Sequence, residues 1–268
     1  MSGWIEQPSP NFDARRDGCP IDILVLHYTG MATAEEALAR LCDPEAKVSA
    51  HYTVDRDGHI YRHVDESLRA RHAGVSYWAG ERDVNSRSIG IELVNPGHEF
   101  GYVPFPDAQI AALIGLARGI LARHPIPPHR VLGHSDVAPA RKMDPGELFP
   151  WQLLAAHGIG IFPLPQAGEV PGNAQRSEAE GGSPARALPP SGALVRATSP
   201  AGGGGPDIVN MLARFGYGVA PEVDIPLATV VTAFQRHFRP ENIDGFVDAE
   251  TEARLAALLE MMREERSP

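Results

Sequence analysis

A long segment rich in proline, glycine, alanine and serine constrains this chain most, because it limits where a packed core can form. The segment covers residues 165–206 and ends in four glycines followed by a proline. Such a composition buries too little apolar surface to order itself strongly. We therefore expect a linker at 165–206, which separates a first domain at residues 1–164 from a smaller one at residues 207–268.

Short apolar runs and helical patterns alternate along residues 1–164, which is typical of an α/β domain. Helices are predicted at 33–42, which opens with the capping pair Thr33 and Glu36, and at 106–124, where apolar residues recur with helical spacing. Strands are predicted where apolar runs are short and closed by turn residues, at 21–27, 51–54, 60–61 and 88–94. We expect a central mixed β-sheet flanked by helices.

The C-terminal segment carries three apolar stripes at helical spacing, which predict a small three-helix domain. Gly216 follows the first stripe as a helix-ending residue, and Asp248 precedes the third as an N-cap. The stripes consist of Ile208, Met211, Leu212 and Phe215, then Leu227, Val230, Val231 and Phe234, then Leu255, Leu258, Leu259 and Met262.

One loop offers two metal-binding residue types and a lysine. His134 follows Gly133, and Asp144 comes ten residues later in the run Lys142-Met143-Asp144, so the loop supplies an imidazole and a carboxylate. A zinc centre for hydrolysis needs about three protein ligands and an open position for water. His27 is the best candidate for the third ligand, because it ends a short apolar run and so lies at the tip of a predicted buried strand.

Two further residues have chemistry that such a centre needs. Glu92 is an acidic residue in an otherwise apolar strand, so it either points into a polar cleft as a general base or lies on a solvated edge. Lys142 lies two residues before Asp144, so it either stabilises a developing oxyanion or is an ordinary surface lysine. The residues alone leave both alternatives open.

Five motifs occur in order within residues 1–164: LHYTGM, VSAHYTVDRDG, HAGVSYWAG, NSRSIGIELVN and GHSDVAPARKMDPG. Together they resemble the zinc-dependent N-acetylmuramoyl-L-alanine amidases of the AmpD and AmiD type. The resemblance implies a zinc cleft above a central mixed sheet, in the fold shared with bacteriophage T7 lysozyme and the peptidoglycan recognition proteins. It also implies His27, His134 and Asp144 as Zn²⁺ ligands, Glu92 as the catalytic carboxylate and Lys142 as the oxyanion stabiliser.

The C-terminal motifs FGYGV, VVTAFQRHFRP and DGFVDAETEARL resemble the peptidoglycan-binding-like three-helix domain that follows the catalytic domain in AmiD-type enzymes. This chain departs from the commoner form of that domain, because Val247-Asp248 stands where a Gly-Pro pair is usual. The departure puts glycan binding by this segment in doubt.

Four more polar residues lie close to these motifs and are predicted to bind substrate. His51 precedes Tyr52 in a strand beside the site and is expected to line the cleft, and His72 is expected to contact substrate or to support a ligand. Asn85 and Arg87 precede the Glu92 strand, where they could contact peptide carboxylates. The alternative for each histidine is a structural role with no part in the chemistry.

The predicted reaction is zinc-dependent hydrolysis of the amide between N-acetylmuramic acid, or its 1,6-anhydro form, and the L-alanine of the peptidoglycan stem peptide. Two alternatives stay open: a non-catalytic protein that binds peptidoglycan, and an enzyme that cuts another amide. One scaffold hosts many specificities, so fold and metal chemistry alone do not choose between substrates.

The expected partners are peptidoglycan fragments, namely muropeptides with or without the 1,6-anhydro end. A net charge of −10 and a pI near 5.5 argue against a nucleic-acid partner, because phosphate binding needs clustered Lys and Arg. No membrane span and no signal segment are predicted, which favours a cytoplasmic monomer that acts in cell-wall recycling. The AmiD-like C-terminal segment favours the alternative, a location in the periplasm or cell envelope.

Overall fold

The computed structural model of the chain describes residues 3–163 and 207–265, so the predicted linker at 165–206 lies outside the described residues. Within these ranges the eight strands are β1 (Ile5–Glu6), β2 (Phe12–Ala14), β3 (Ile23–Tyr28), β4 (Tyr52–Val54), β5 (Ile60–Arg62), β6 (Leu68–Ala70), β7 (Ser88–Leu93) and β8 (Val131–Gly133). The nine α-helices of the same ranges are α1 (Ala34–Cys42), α2 (Val84–Arg87), α3 (Gly97–Phe100), α4 (Asp107–Arg123), α5 (His134–Val137), α6 (Trp151–Ala156), α7 (Ile208–Phe215), α8 (Leu227–Phe238) and α9 (Ala249–Glu264).

Six strands form one mixed sheet in the order β1-β5-β4-β7-β3-β8, and β2 pairs with β6 in a separate antiparallel ribbon. The pairs at the centre are parallel: β3 lies between β7 and β8, and β7 also pairs with β4. β5 runs antiparallel to β4. The α/β class and the central mixed sheet predicted from the sequence are therefore confirmed.

The central strand β3 is buried on both faces, and its alternate side chains enter two hydrophobic cores. Leu24 and Leu26 belong to a core that α4 completes on one face of the sheet. Ile23 and Val25 belong to a second core on the opposite face. Since side chains alternate along a strand, His27 lies on the face of Ile23 and Val25.

The C-terminal helices take part in the second core. Leu132 of β8 and Trp78 belong to the same buried cluster as Phe215, Phe234 and Leu258, which come from α7, α8 and α9. The described parts of the two segments accordingly form one compact unit. The three predicted C-terminal helices are confirmed, and they cover one face of the sheet; the domain boundaries at 164 and 207 stay predictions.

The predicted helices and strands of residues 1–164 agree with the structure to within a few residues. Thr33 caps α1, because its side chain accepts a hydrogen bond from the Glu36 N–H (3.2 Å). Asp248 caps α9 in the same way through the Thr251 N–H. The sequence did not indicate β1, β2, β6 or β8, because strands of two or three residues are too short to show a periodicity. The equally short β4 and β5 were indicated by the turn Asp57-Gly58 between them.

Glu66 ties the sheet to the end of α4. Its carboxylate accepts hydrogen bonds from Tyr52 Oη (2.8 Å), Arg123 (2.6 Å) and His124 (2.7 Å), and 13% of its side chain is exposed. Burial by itself would raise the pKa of Glu66, but the three donors outweigh it and lower the pKa from 4.5 to about 2. The folded protein therefore holds the ionised form more tightly than the unfolded chain does.

We expect Glu66→Gln to lower the free energy of unfolding by about 2–3 kcal/mol at pH 7, since a pKa shift of this size corresponds to about 3 kcal/mol. The contribution is complete above the unfolded pKa near 4.5 and is lost as the pH falls through about 2. The stability difference between wild type and variant should therefore narrow over that range in urea unfolding curves. Glu45→Gln, at an exposed position, is the control. A Glu66→Gln difference that does not change with pH would contradict this account.

Candidate metal centre

Three parallel strands end at the same edge of the sheet and deliver side chains to one place. β3 and β7 are in register, so that His27 lies opposite Glu92. β8 ends beside β3, and the next residue is His134, the first residue of α5. The loop after α5 brings Asp144 back to this edge, where its carbonyl oxygen accepts a hydrogen bond from the Ser135 N–H (2.9 Å).

The three predicted ligands meet at equal distances. His27 Nδ1 lies 3.0 Å from His134 Nδ1 and 3.0 Å from Asp144 Oδ2, and the distance from His134 Nδ1 to Asp144 Oδ2 is also 3.0 Å. Zinc bonds of about 2.0–2.1 Å in a tetrahedron would separate neighbouring ligand atoms by about 3.3 Å. All three side chains are buried, and in the part of the chain that the structure describes no other group of His, Cys, Asp and Glu has such an arrangement. The donor set and its spacing fit one metal ion.

A chain of hydrogen bonds behind His27 determines which of its ring nitrogens is free. The Ser88 hydroxyl donates to the Val84 carbonyl oxygen (2.7 Å) and therefore accepts from His72 Nε2 (3.1 Å). His72 Nδ1 is then an acceptor, and His27 Nε2 donates to it (3.0 Å). The unprotonated Nδ1 of His27 is left facing the other two ligands, as metal binding requires.

The other two ligands have matching protonation states. His134 Nε2 donates to the Ala73 carbonyl oxygen (3.1 Å), so the neutral form of this ring presents an unprotonated Nδ1. Burial lowers the pKa of His27 to about 4, so His27 is neutral near pH 7. Burial alone would raise the pKa of Asp144, but His134 and His27, when their rings are protonated, hold it well below its usual range through charge and hydrogen bonds. Two neutral imidazoles and one carboxylate are the forms in which these groups bind a divalent metal.

Glu92 and Lys142 line the cleft that leads to the ligands, a space of about 650 Å³. Glu92 Oε2 is shielded from solvent and has no hydrogen-bond partner among the described residues. Burial and the charge of Asp144 raise the pKa of Glu92 well above its usual value, and Lys142 opposes them. A carboxyl group with a raised pKa and a free oxygen at a cleft is suited to general acid–base chemistry.

The cleft continues into a second hollow of about 640 Å³, which shares Lys142 and Asp144 with the first and reaches His98. The first hollow carries two cationic side chains that the sequence did not indicate, Arg40 on α1 and Arg71. The sequence feature that could have identified Arg71 as a cleft residue is its position directly before His72. Arg71 is paired with Asp13 (2.7 Å), and the second hollow is also lined by the cationic side chains of Arg141 and Lys142, so an elongated ligand would meet positive charge in both hollows.

Of the four residues predicted to bind substrate, His72 lines the cleft, whereas His51 and Asn85 do not. His51 is buried, its Nδ1 accepts from the Gly90 N–H (2.9 Å), and its Nε2 lies 3.1 Å from an Arg15 nitrogen. Asn85 is also buried, and its Oδ1 accepts from the N–H of His72 (3.1 Å) and of the residue after it (2.8 Å). Both residues hold the surroundings of His72 instead of facing the cleft.

Arg87 lies at the opposite end of β7 from Glu92. It forms an ion pair with Asp22, which also binds Arg130. A strand rises about 3.3 Å per residue, so the five residues from Arg87 to Glu92 separate their backbones by roughly 16 Å. The partner of Arg87 therefore lies away from the cleft. Closeness in sequence to a strand did not show which end of that strand carries the site.

Comparisons with known proteins agree with this geometry. A family model described as N-acetylmuramoyl-L-alanine amidase matches residues 17–147. The chain is 38% identical to N-acetylmuramoyl-L-alanine amidase AmiD of Escherichia coli, over 96% of this chain and 91% of the relative. It is 35% identical to 1,6-anhydro-N-acetylmuramyl-L-alanine amidase AmpD of Haemophilus influenzae, over 54% of this chain and 86% of the relative.

A solved structure also resembles most of the chain. It is the complex of E. coli AmiD with its substrate anhydro-N-acetylmuramic acid-L-Ala-D-gamma-Glu-L-Lys. The two structures superpose with a TM-score of 0.71 at 38% sequence identity, over 92% of this chain and 91% of that one. The likeness thus extends to the described C-terminal helices as well as to the sheet.

Gly90 provides a test of the packing behind His27. A Cβ atom at Gly90 would lie 2.5 Å from the His72 ring, which its hydrogen bonds to His27 and Ser88 hold in place. We expect Gly90→Ala to destabilise the protein by about 1–3 kcal/mol in urea unfolding, as overpacking does.

The matched control for Gly90→Ala is Gly115→Ala in α4, where an added Cβ meets no atom within 4 Å. That substitution should stabilise the protein by about 0.5–1 kcal/mol, because alanine favours a helix over glycine. Equal effects of the two substitutions would show that His72 is not packed against β7 as described.

Proposed function

Because the chain belongs to the N-acetylmuramoyl-L-alanine amidase family, we propose that it hydrolyses the amide between the lactyl group of N-acetylmuramic acid and the L-alanine of the stem peptide. Its membership of the family confirms the family predicted from the five motifs. The name of the AmpD relative and the ligand of the AmiD complex support the 1,6-anhydro form of the sugar as a substrate.

The observation that carries this proposal is the meeting of three unprotonated ligand atoms on a cleft that also holds Glu92 and Lys142. We propose Zn²⁺ as the metal and His27, His134 and Asp144 as the residues that hold it, since two imidazoles and a carboxylate are a usual set for a catalytic zinc. When bound, zinc supplies Lewis acidity that activates water and polarises a carbonyl oxygen.

The chain's own residues account for the proton transfers. Glu92 takes the proton of the attacking water through its unpartnered carboxylate oxygen as the water oxygen bonds to the amide carbon. The Lys142 ammonium stabilises the negative charge that develops on the carbonyl oxygen. When the carbon–nitrogen bond breaks, Glu92 returns the proton to the amine of L-alanine. The raised pKa of Glu92 favours this exchange, because it makes the carboxylate a stronger base.

The arginines of the cleft support a peptide substrate. Arg40 brings positive charge to the cleft of a protein whose net charge is −10, whereas Arg71 is paired with Asp13 (2.7 Å), and the stem peptide carries carboxylates. None of the described helices combines the length and apolar character of a membrane span. A recycling role, a cytoplasmic location and a monomeric state remain predictions of the sequence.

The proposal is tested by digestion of anhydro-N-acetylmuramic acid-L-Ala-D-gamma-Glu-L-Lys, with product masses as the measurement. Wild type should release the intact tripeptide and the free sugar acid. Glu92→Gln should lower kcat by about 10²–10⁴-fold, because the variant has no group to accept the proton. Glu45→Gln, at an exposed position, should cut as wild type does. Cleavage inside the tripeptide would indicate another amidase specificity, and binding without cleavage would favour the non-catalytic alternative.

Removal of the metal gives a second test. Dialysis of wild type against a chelator should abolish cleavage, and one equivalent of Zn²⁺ should restore it. His134→Ala removes one of three ligands and should bind zinc at least about 100-fold more weakly, as measured by competition with a chelator of known affinity. Full activity in chelator-treated protein would reject the metal centre while leaving the fold as described.

A further inference from the structure

A buried carboxylate lies directly behind the ligand His134. Asp136 is the third residue of α5, and none of its side chain is exposed. Asp136 Oδ2 accepts a hydrogen bond from the Gly133 N–H (2.7 Å), which closes the turn that begins with His134. The orientation of His134 is thus coupled to the position of the Asp136 side chain.

The other two partners of Asp136 come from the C-terminal segment. Tyr217, which follows α7, donates its hydroxyl to Asp136 Oδ1 (2.6 Å). His237 of α8 places its Nδ1 2.7 Å from Asp136 Oδ2. The carboxylate therefore has donors from both segments of the chain, and it joins the C-terminal helices to the turn that carries a metal ligand.

These two side chains are themselves held rigidly. Tyr217 is 1% exposed and packs edge-on against Trp78, with ring centroids 5.0 Å apart. The His237 ring is buried and stacks on Trp151, with ring centroids 3.7 Å apart. Because neither side chain has room to turn, the direction of each hydrogen bond to Asp136 is fixed by the packing of α7 and α8 on the sheet.

We infer that Tyr217 and His237 are positioning residues of the metal centre, which act through Asp136 and the turn from Gly133 to hold His134 Nδ1 at its ligand position. The C-terminal segment is then a part of the catalytic unit. The inference rests on the proposed function, because it concerns the affinity of that same site for zinc. A buried carboxylate that loses a donor must find another partner, and any movement of Asp136 is passed to the first turn of α5.

The test compares zinc affinities, measured by competition with a chelator, in full-length variants. Tyr217→Phe removes one oxygen atom, and His237→Phe keeps an aromatic ring against Trp151 while it removes the donor. Each should weaken zinc binding by about tenfold, in the range seen when groups behind a metal ligand are lost. His237→Asn offers an amide donor near the position of Nδ1 and should recover part of the affinity.

Tyr52→Phe is the matched control. Tyr52 is a buried tyrosine that donates to a carboxylate, Glu66, away from the metal ligands (2.8 Å). It should lose stability as Tyr217→Phe does and keep the zinc affinity of wild type. Zinc affinities of Tyr217→Phe and His237→Phe that equal that of Tyr52→Phe would overturn the inference, because the contacts would then serve stability alone.

A second measurement separates this inference from the proposed function. Hydrogen–deuterium exchange of the metal-free protein reports on the turn itself, since the Gly133 N–H is hydrogen-bonded to Asp136. Faster exchange at residues 131–138 in Tyr217→Phe, with wild-type exchange there in Tyr52→Phe, supports the inference even if the wild type cuts no muropeptide. Unchanged exchange at these residues in Tyr217→Phe would overturn the inference, and a wild type that binds no zinc would overturn the proposed function.

Discussion

The parallel pairing of β3 with β7 and β8 is the constraint on which the rest of the structure depends. Parallel strands place their carboxyl ends at one edge of a sheet, so His27, Glu92 and His134 reach the same place although they are far apart in sequence. The short loop after α5 then places Asp144 at the same edge. Paired strands fix the separations of the side chains at their ends, and a metal ion binds only ligand atoms that lie within a narrow range of distances.

Burial around this edge sets the charges that the chemistry requires. The same desolvation that keeps His27 neutral also raises the pKa of Glu92, whereas protonation of either histidine would lower the pKa of Asp144. In the proposed reaction, the two carboxyl groups of one site have different tasks, Asp144 as ligand and Glu92 as proton acceptor. Hydrogen bonds that end at the carbonyl oxygens of Val84 and Ala73 fix the ring nitrogens that face the metal.

The two faces of the sheet are covered by different parts of the chain, and the C-terminal helices cover the face that bears His27. Helix α4 covers one face, and α7 to α9 contribute to the core on the face that bears His27. The C-terminal motifs resemble a peptidoglycan-binding-like domain, yet the contacts of Tyr217 and His237 are with Asp136 inside the amidase segment. A segment that resembles an accessory domain thus contributes directly to the packing of the metal centre.

The sequence by itself determined the family, four strands and the two longest helices of residues 1–164, and the identity of the residues that meet at the centre. These features depend on local patterns and on motifs that one chain displays. Only the tertiary structure decided that His51, Asn85 and Arg87 face away from the cleft, that Arg40 and Arg71 face it, and that the C-terminal helices bind Asp136. The physical reason is that the direction of a side chain depends on the end of the strand it occupies and on what packs against it, and residues distant in sequence set both.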